Sequence, residues 1–186
     1  SYENDGYFVN ASVYANAVDN YIYIKNRGTV TSGRPNVDYS QADADFNGYE
    51  IEVGRSFTTN NGDFVISYGR DEVVGTFSSG GNVPRITPIK NVYRFALEQE
   101  DVSYNIKVMD IQKEDDIGFG ETVTDGYTMV NLDIKRTISI GNDEELILSV
   151  FGRNLLDEKA RNHTSYVKNE VPLSGRNFGI KLNFNF

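Results

Sequence analysis

The last eleven residues alternate without a break between apolar and polar side chains. The segment 176–186 reads RNFGIKLNFNF, and its apolar members are Phe178, Ile180, Leu182, Phe184 and Phe186. Because the side chains of a β-strand point alternately to its two faces, these five lie on one face. The segment is therefore predicted to be a strand with one apolar face and one polar face.

The same period of two recurs upstream, with the polar face carrying charged groups such as Lys107, Asp133 and Lys135. A high content of tyrosine, phenylalanine and glycine with little proline also favours sheet over helix. The pattern predicts about eight antiparallel strands. Their predicted ranges are 3–26, 41–58, 63–75, 88–100, 102–113, 125–140, 144–156 and 176–186.

The predicted connections alternate between short and long. Short turns are expected at 59–62, 98–102 and 141–143, and long loops at 27–40, 76–87, 114–124 and 157–175. Bacterial outer-membrane barrels have this layout, with short periplasmic turns and long extracellular loops. The expected fold is therefore all-β, a portion of an antiparallel transmembrane β-barrel of about eight strands.

A soluble β-sandwich is the alternative, because its half-buried strands also alternate. In a sandwich the apolar face is a dry core and the charged face meets bulk water. In a membrane barrel the apolar face meets lipid, and charged side chains line a wet interior. The charged groups on one face favour the barrel, but the period alone leaves both open.

Composition excludes several functions. The formal net charge of −9, with no cluster of Lys and Arg, argues against a nucleic-acid partner. The chain has no cysteine, so a disulfide framework or thiolate metal site is excluded. It has no run of eighteen apolar residues, and its first residues lack the features of a signal peptide, so an exported protein would begin further upstream.

Several segments of the chain carry recognisable short motifs. Residues 150–158 (VFGRNLLDE) contain an "NLLD" signature and residues 175–186 end on an aromatic, and the two segments resemble the penultimate and final strands of the barrel of TonB-dependent receptors. Residues 44–52 are similar to an "A-x-x-x-G-x-E" strand, 84–88 (PRITP) to a "PRIP" strand entry, and 125–130 to a "GYT" strand opening. The resemblance implies that residues 1–186 are the C-terminal segment of such a barrel, with the plug domain and earlier strands absent.

The resemblance also implies a function and its partners. A receptor of this family sits in the outer membrane and takes up a scarce metal, a metal chelate (siderophore) or haem, coupled to TonB through its plug. Its lipid-facing wall contacts outer-membrane lipid. The barrel assembly machinery recognises a final aromatic strand, which matches Phe178, Ile180, Leu182, Phe184 and Phe186. Residues 160–168 and 171–176 look closest to the zinc and haem branch, with Ser174 where that branch usually has proline.

No catalytic constellation is predicted, and no cofactor. His163 is the only histidine, and no G-x-S-x-G nucleophile motif accompanies it. Oxygen-rich loops can hold a divalent cation or a cationic ligand. The candidate extracellular ligand or metal contacts are His163, Asp38, Asp43, Asp45, Glu114, Asp115 and Asp116. The alternative is a packing role for His163 and ordinary solvated charge for the carboxylates, and the metal stays unspecified.

A second hypothesis is an autonomous binding or display module. Eight strands can close into a small barrel on their own. An engineered fragment or a small outer-membrane barrel would then account for the same alternation without any coupled uptake.

Overall fold

A computed structural model describes residues 1–141 and 144–186, and in these ranges the regular structure is entirely β. Each strand pairs antiparallel with the next along the chain, in one sheet of nine strands. The strands are β1 (Tyr2–Asn4), β2 (Tyr7–Thr31), β3 (Arg34–Thr59), β4 (Gly62–Phe77), β5 (Lys90–Glu98), β6 (Val102–Ile111), β7 (Tyr127–Ser139), β8 (Glu145–Arg153) and β9 (Asn177–Asn185). The expected all-β antiparallel fold is confirmed.

The first predicted strand is in fact two. Residues 3–26 were expected to form one strand, but the chain turns back at Asp5 and Gly6, and β1 pairs with the start of β2. Both turn residues have positive φ, of 50° and 76°. A two-residue turn of this hand matches the twist of the flanking strands. This extra hairpin raises the strand count from the expected eight to nine.

The first predicted loop, 27–40, is wrong. These residues continue β2 and β3, whose pairing begins next to the turn with Thr31 and Arg34. Ser32 and Gly33 make the turn, again with both φ values positive. Ala44 pairs with Phe77 at the end of β4, so the strand segments 21–31 and 34–42 form a hairpin arm that extends beyond β4.

The remaining connections separate by length as expected. Short turns join β3 to β4 and β5 to β6 at one end of the sheet. The predicted turn at 141–143 includes Asn142 and Asp143, which lie outside the described residues. At the other end, three long connections lie outside the strands and are named here L1 (78–89), L2 (112–126) and L3 (154–176).

Strand pairing assigns every side chain to one of two faces, because directly paired residues share a face. One row crossing β3 to β9 is wholly apolar or aromatic: Phe57, Phe64, Leu97, Tyr104, Ile134, Val150 and Ile180. The adjacent row on the opposite face is wholly polar: Thr58, Asp63, Glu98, Ser103, Lys135, Ser149 and Lys181. The two faces are named the apolar face and the charged face.

No second layer covers the apolar face within the described residues. Among all the described residues, the only buried hydrophobic ones are Ala44, Val83, Val92 and Ala160. Phe178, Ile180 and Leu182 are 70%, 72% and 63% exposed. A sandwich would bury such side chains between two sheets, so the sandwich alternative is excluded. In the described ranges no helix is long and apolar enough to span a membrane.

Candidate functional site

The three long connections interlock above the sheet. The backbone N–H of Arg85 in L1 donates to Glu121 Oε1 in L2 over 3.0 Å. The Arg85 guanidinium lies 3.4 Å from the ring centroid of Tyr166 in L3. The hairpin arm joins them, because Asn26 donates its side-chain N–H to the carbonyl of Gly120 over 3.2 Å. Loops that are distant in sequence therefore form one assembly.

L3 is organised by Asn154, the asparagine of the NLLD segment. It is buried and has a positive φ of 49°. Its Nδ2 donates to the carbonyl oxygens of Glu158 at 2.9 Å and Ser174 at 3.1 Å, and its Oδ1 accepts from the N–H of Glu158 at 2.9 Å. Asparagine tolerates positive φ better than most residues and can bond its own neighbourhood. One side chain thus joins the two ends of a long loop.

The centre of the loop assembly is a buried polar group of four residues, named here the buried cluster: Glu121, Thr124, His163 and Lys168. His163 is 2% and Lys168 5% exposed. Lys168 Nζ donates to the carbonyl of Thr122 at 2.5 Å and to Thr124 Oγ1 at 2.8 Å. Buried polar groups of this kind are stable only when they are hydrogen-bonded, and every buried side-chain polar atom of the described residues has a partner.

The hydrogen bonds fix the tautomer of His163. Its Nδ1 lies 2.8 Å from Thr124 Oγ1 and 3.2 Å from Lys168 Nζ. An ammonium group only donates, so Nδ1 must accept and the ring proton sits on Nε2. Nε2 faces Glu121 Oε1 at 3.7 Å. Burial, and then the neighbouring Lys168 charge, lower the pKa of His163 from its ordinary value, against an opposing effect of Glu121.

Glu121 anchors the cluster to the backbone. Its Oε1 accepts the N–H of Arg85, and its Oε2 accepts the N–H of Gly118 at 2.9 Å. Burial lowers the pKa of Lys168, while Glu121 raises it. The carboxylate, the ammonium and a neutral imidazole together leave the cluster close to neutral in charge.

The acidic candidates do not meet in the structure. Asp38 lies in β3 and pairs with Arg27 across the hairpin arm. Asp43 and Asp45, also in β3, bond the N–H of Asn20 at 2.8 Å and the hydroxyl of Ser78 at 3.5 Å respectively. They are strand residues and do not lie on a loop.

The carboxylates of L2 lie next to one another in sequence but are already engaged. Asp115 pairs with Lys113 at 2.7 Å, which lowers the pKa of Asp115. Glu114 Oε1 accepts the N–H of Asp116 at 3.0 Å, and burial raises the pKa of Glu114. Across the described ranges, no three His, Cys, Asp or Glu side chains are grouped to hold a metal ion. The role of these residues as ligand contacts stays a prediction.

A cleft opens beside the buried cluster, between the hairpin arm and the three loops. Its volume is about 650 Å³, and it is named here the loop cleft. Phe119, which is 72% exposed, lines it together with Tyr166, Val37 and Val167. Other lining residues are Ile24, Asn26, Ser32, Gly33, Arg34, Pro84, Arg85, Gly120, Glu121 and Glu170. Exposed aromatic side chains beside two arginines can receive a ligand with both apolar and anionic groups.

The charged face carries ion pairs between strands. Arg94 in β5 pairs with Glu52 in β3 at 2.6 Å, and Lys90 pairs with Asp71. Arg153 at the end of β8 donates two hydrogen bonds to Asp133 in β7, at 2.6 and 3.0 Å. Opposite charges that pair between strands suit a water-filled interior, where each side chain keeps access to water.

Comparisons with known proteins agree with this geometry. Neither a protein-family model nor a curated protein sequence matches the chain. Among solved structures, the copper transporter OprC aligns over 100% of this chain and 30% of its own, with a TM-score of 0.84 and 21% identity. The fold of this chain is therefore that of an antiparallel transmembrane β-barrel portion.

A second solved structure is similar with a lower TM-score. The ferric-catecholate import receptor Fiu from E. coli K12, in its closed form, aligns over 97% of this chain and 25% of its own, with a TM-score of 0.60 and 19% identity. This chain therefore spans between a quarter and a third of the length of these two proteins. At these identities the likeness establishes the fold.

Sequence reasoning identified part of the loop assembly. It singled out His163 and the segments that contain Arg85 and Lys168, but assigned the last two no role. It did not identify Glu121 or Thr124 as partners of His163. Thr124 is 39 residues away in sequence, and no local pattern marks a contact over such a distance. The alternation also predicted the apolar face of the last strand. Phe178, Ile180, Leu182 and Phe184 lie on the apolar face of β9, and Phe186 directly follows the strand.

Proposed function

We propose that this chain forms part of the wall of a TonB-dependent outer-membrane receptor that takes up a scarce metal, a metal chelate (siderophore) or haem. The observation that carries the proposal is the uncovered apolar face, which runs across β3 to β9 and ends in exposed side chains such as Ile180. Water penalises such a face, whereas acyl chains solvate it, and the closed ladder of a barrel satisfies its backbone.

The interior and the loops support transport over catalysis. Ion pairs such as Arg94–Glu52 line the charged face, where a plug domain and water would lie. The loop cleft then meets ligand from outside the cell. Energy for uptake comes from TonB acting through the plug. The barrel assembly machinery recognises the final strand, Phe178 to Phe186. The ligand branch is supported only by the resemblance of residues 160–168 and 171–176 to zinc and haem receptors.

The receptor is favoured over an autonomous small barrel. The aligned proteins have chains three to four times longer than the aligned region, since it covers 30% and 25% of them. An autonomous barrel would require β9 to pair with β1 or β2. In the described residues β9 pairs with β8, and β1 with β2.

Uptake by cells expressing the complete polypeptide tests the proposal. Cells with and without functional TonB are supplied with Zn²⁺, Cu²⁺, a ferric catecholate or haem, and accumulation is measured. Accumulation of one of these that requires TonB is expected. TonB-independent or absent accumulation of all four would overturn the proposal.

A pair of variants tests the loop cleft within the same assay. Phe119→Ala removes an exposed aromatic ring from the cleft and should raise the ligand concentration needed for half-maximal uptake by about tenfold, the effect of roughly 1.4 kcal/mol of lost contact. Leu156→Ala is the matched control, because Leu156 is an exposed apolar residue of L3 that does not line the cleft. Equal responses of the two variants would contradict a ligand site in the cleft.

A further inference from the structure

We propose that the buried cluster is an acid-sensitive latch, which holds L2 to L3 at neutral pH and releases them as the pH falls. The cluster is complete only with a neutral imidazole. His163 Nδ1 accepts from Thr124 Oγ1 at 2.8 Å and from Lys168 Nζ at 3.2 Å. A proton on Nδ1 would face the ammonium group at that distance and remove one of its acceptors.

The charged groups around His163 come from all three loops. L1 contributes Arg85, L2 contributes Glu121 and the more distant Glu114, and L3 contributes Lys168. Two of the cations, Lys168 and Arg85, disfavour a charged imidazole, and Glu121 favours it. Burial adds to the effect of the cations, so the pKa of His163 is lowered in the latched state.

The sign of the pH dependence follows from this direction. When the loops separate, His163 is solvated and its pKa returns to about 6.5. Between that value and the lower pKa of the latched state, the open form binds more protons. Acid therefore favours opening, by up to about tenfold in the opening equilibrium per pH unit for one proton. Above about pH 6.5 the imidazole is neutral in both forms, so His163 contributes no pH dependence there.

Opening would change the loop cleft, because Glu121 belongs to both the cluster and the cleft and accepts the backbone N–H of Arg85, which also lines the cleft. Lys168 holds L2 through the carbonyl of Thr122, and its departure frees the segment that positions Glu121. The latch stands on its own geometry, whereas its effect on ligand binding rests on the proposed function. Receptor that meets acidic surroundings would hold its ligand less firmly.

Hydrogen exchange of the complete polypeptide in lipid vesicles, without ligand, tests the latch. Exchange of peptides from residues 112–126 and 154–176 is followed from about pH 7.5 to about pH 5.5, after correction for the intrinsic pH dependence of exchange. Opening of both loops should rise toward about tenfold per pH unit below about pH 6.5, while peptides of β6 and β7 stay constant. No corrected change in L2 and L3 would overturn the proposal.

Three variants separate the latch from general loosening. His163→Gln keeps a side-chain acceptor that does not titrate, and should abolish the pH dependence. Lys168→Met removes a cation that lowers the pKa of His163 in the latched state. It should therefore narrow the pH window from its lower end and reduce the total change in opening, while the onset stays near pH 6.5. Arg161→Gln is the control, because Arg161 bonds the carbonyl of Lys168 without contacting His163. It should speed exchange at every pH by a similar factor, and a pH response in His163→Gln equal to that of the wild type would refute the mechanism.

Discussion

Replacing Ile180 by lysine tests directly whether lipid solvates the apolar face. Ile180 is 72% exposed and lies one residue from the middle of β9. It ends the apolar row that runs through Val150 and Ile134. A lysine near the bilayer midplane of a barrel costs about 2–4 kcal/mol. If water bathed this face, the same change would stay within about 0.5 kcal/mol, as exposed substitutions usually do.

The matched control is Asn183→Lys, on the same strand and on the charged face. Reversible denaturant unfolding of the complete polypeptide from lipid vesicles gives the two free energies of unfolding. The Ile180 variant should lower the ratio of folded to unfolded protein about 30- to 700-fold, whereas the control should leave it nearly unchanged. Equal stabilities of the two variants in vesicles would refute the assignment of the faces.

Further variants test the close packing of the wall and of L3. Gly54→Val should cost about 1–3 kcal/mol of folding free energy, because a Cβ there would meet the Phe8 ring at 2.3 Å and the backbone oxygen of Ile66 at 2.7 Å. Gly69→Val is the control, because the nearest atom to a Cβ there lies at 3.6 Å. The folded yield in vesicles compares the two variants. Asn154→Ala should lose about 2–4 kcal/mol of loop stability, because it removes three hydrogen bonds. Asn154→Gly should lose somewhat less, because glycine adopts the positive φ of this position without strain. The rate of protease cleavage within 154–176 measures both losses, and equal cleavage of the Ala variant and the wild type would contradict the role of Asn154.

The strands could be predicted where one face is uniformly apolar. From β6 to β9 most residues follow the period of two, and a slip by one residue would move most of the apolar side chains of this face into the wet interior. The hairpin arm gives no such signal, because both of its faces beyond β4 carry polar residues. Its Gly28 and its Ser32–Gly33 pair suggested a loop, but they form an irregularity in the pairing and a two-residue turn.

One missed feature did have a sequence signal. Asp5–Gly6 between residues with strand propensity is a strong marker of a two-residue hairpin. Reading 3–26 as one strand passed over it, and the count of eight strands followed. The dipeptide adopts the positive φ values that this turn requires.

The loop assembly could be predicted only in part, for a different reason. Its contacts join residues far apart in sequence, such as Arg85 and Thr164, whose separation is 79 residues. Side chains that bond across loops need complementary donors and acceptors at matching positions, with no period along the chain. The resemblance located two of the segments that take part, 84–88 and 160–168, but only the folded geometry shows that His163 is an acceptor for Lys168.

The wall and the loops are stabilised by different interactions, and this difference allows the loops to move alone. The wall is held by a continuous backbone ladder and by the solvation of its apolar face. The loops are held by a few side-chain bonds around Glu121, His163 and Lys168, with little apolar burial beyond Val83 and Ala160. A single proton can therefore weaken the loop assembly substantially while leaving the ladder intact. Under the proposed function, opening of the loops would change ligand binding at the loop cleft without any cost to the stability of the barrel.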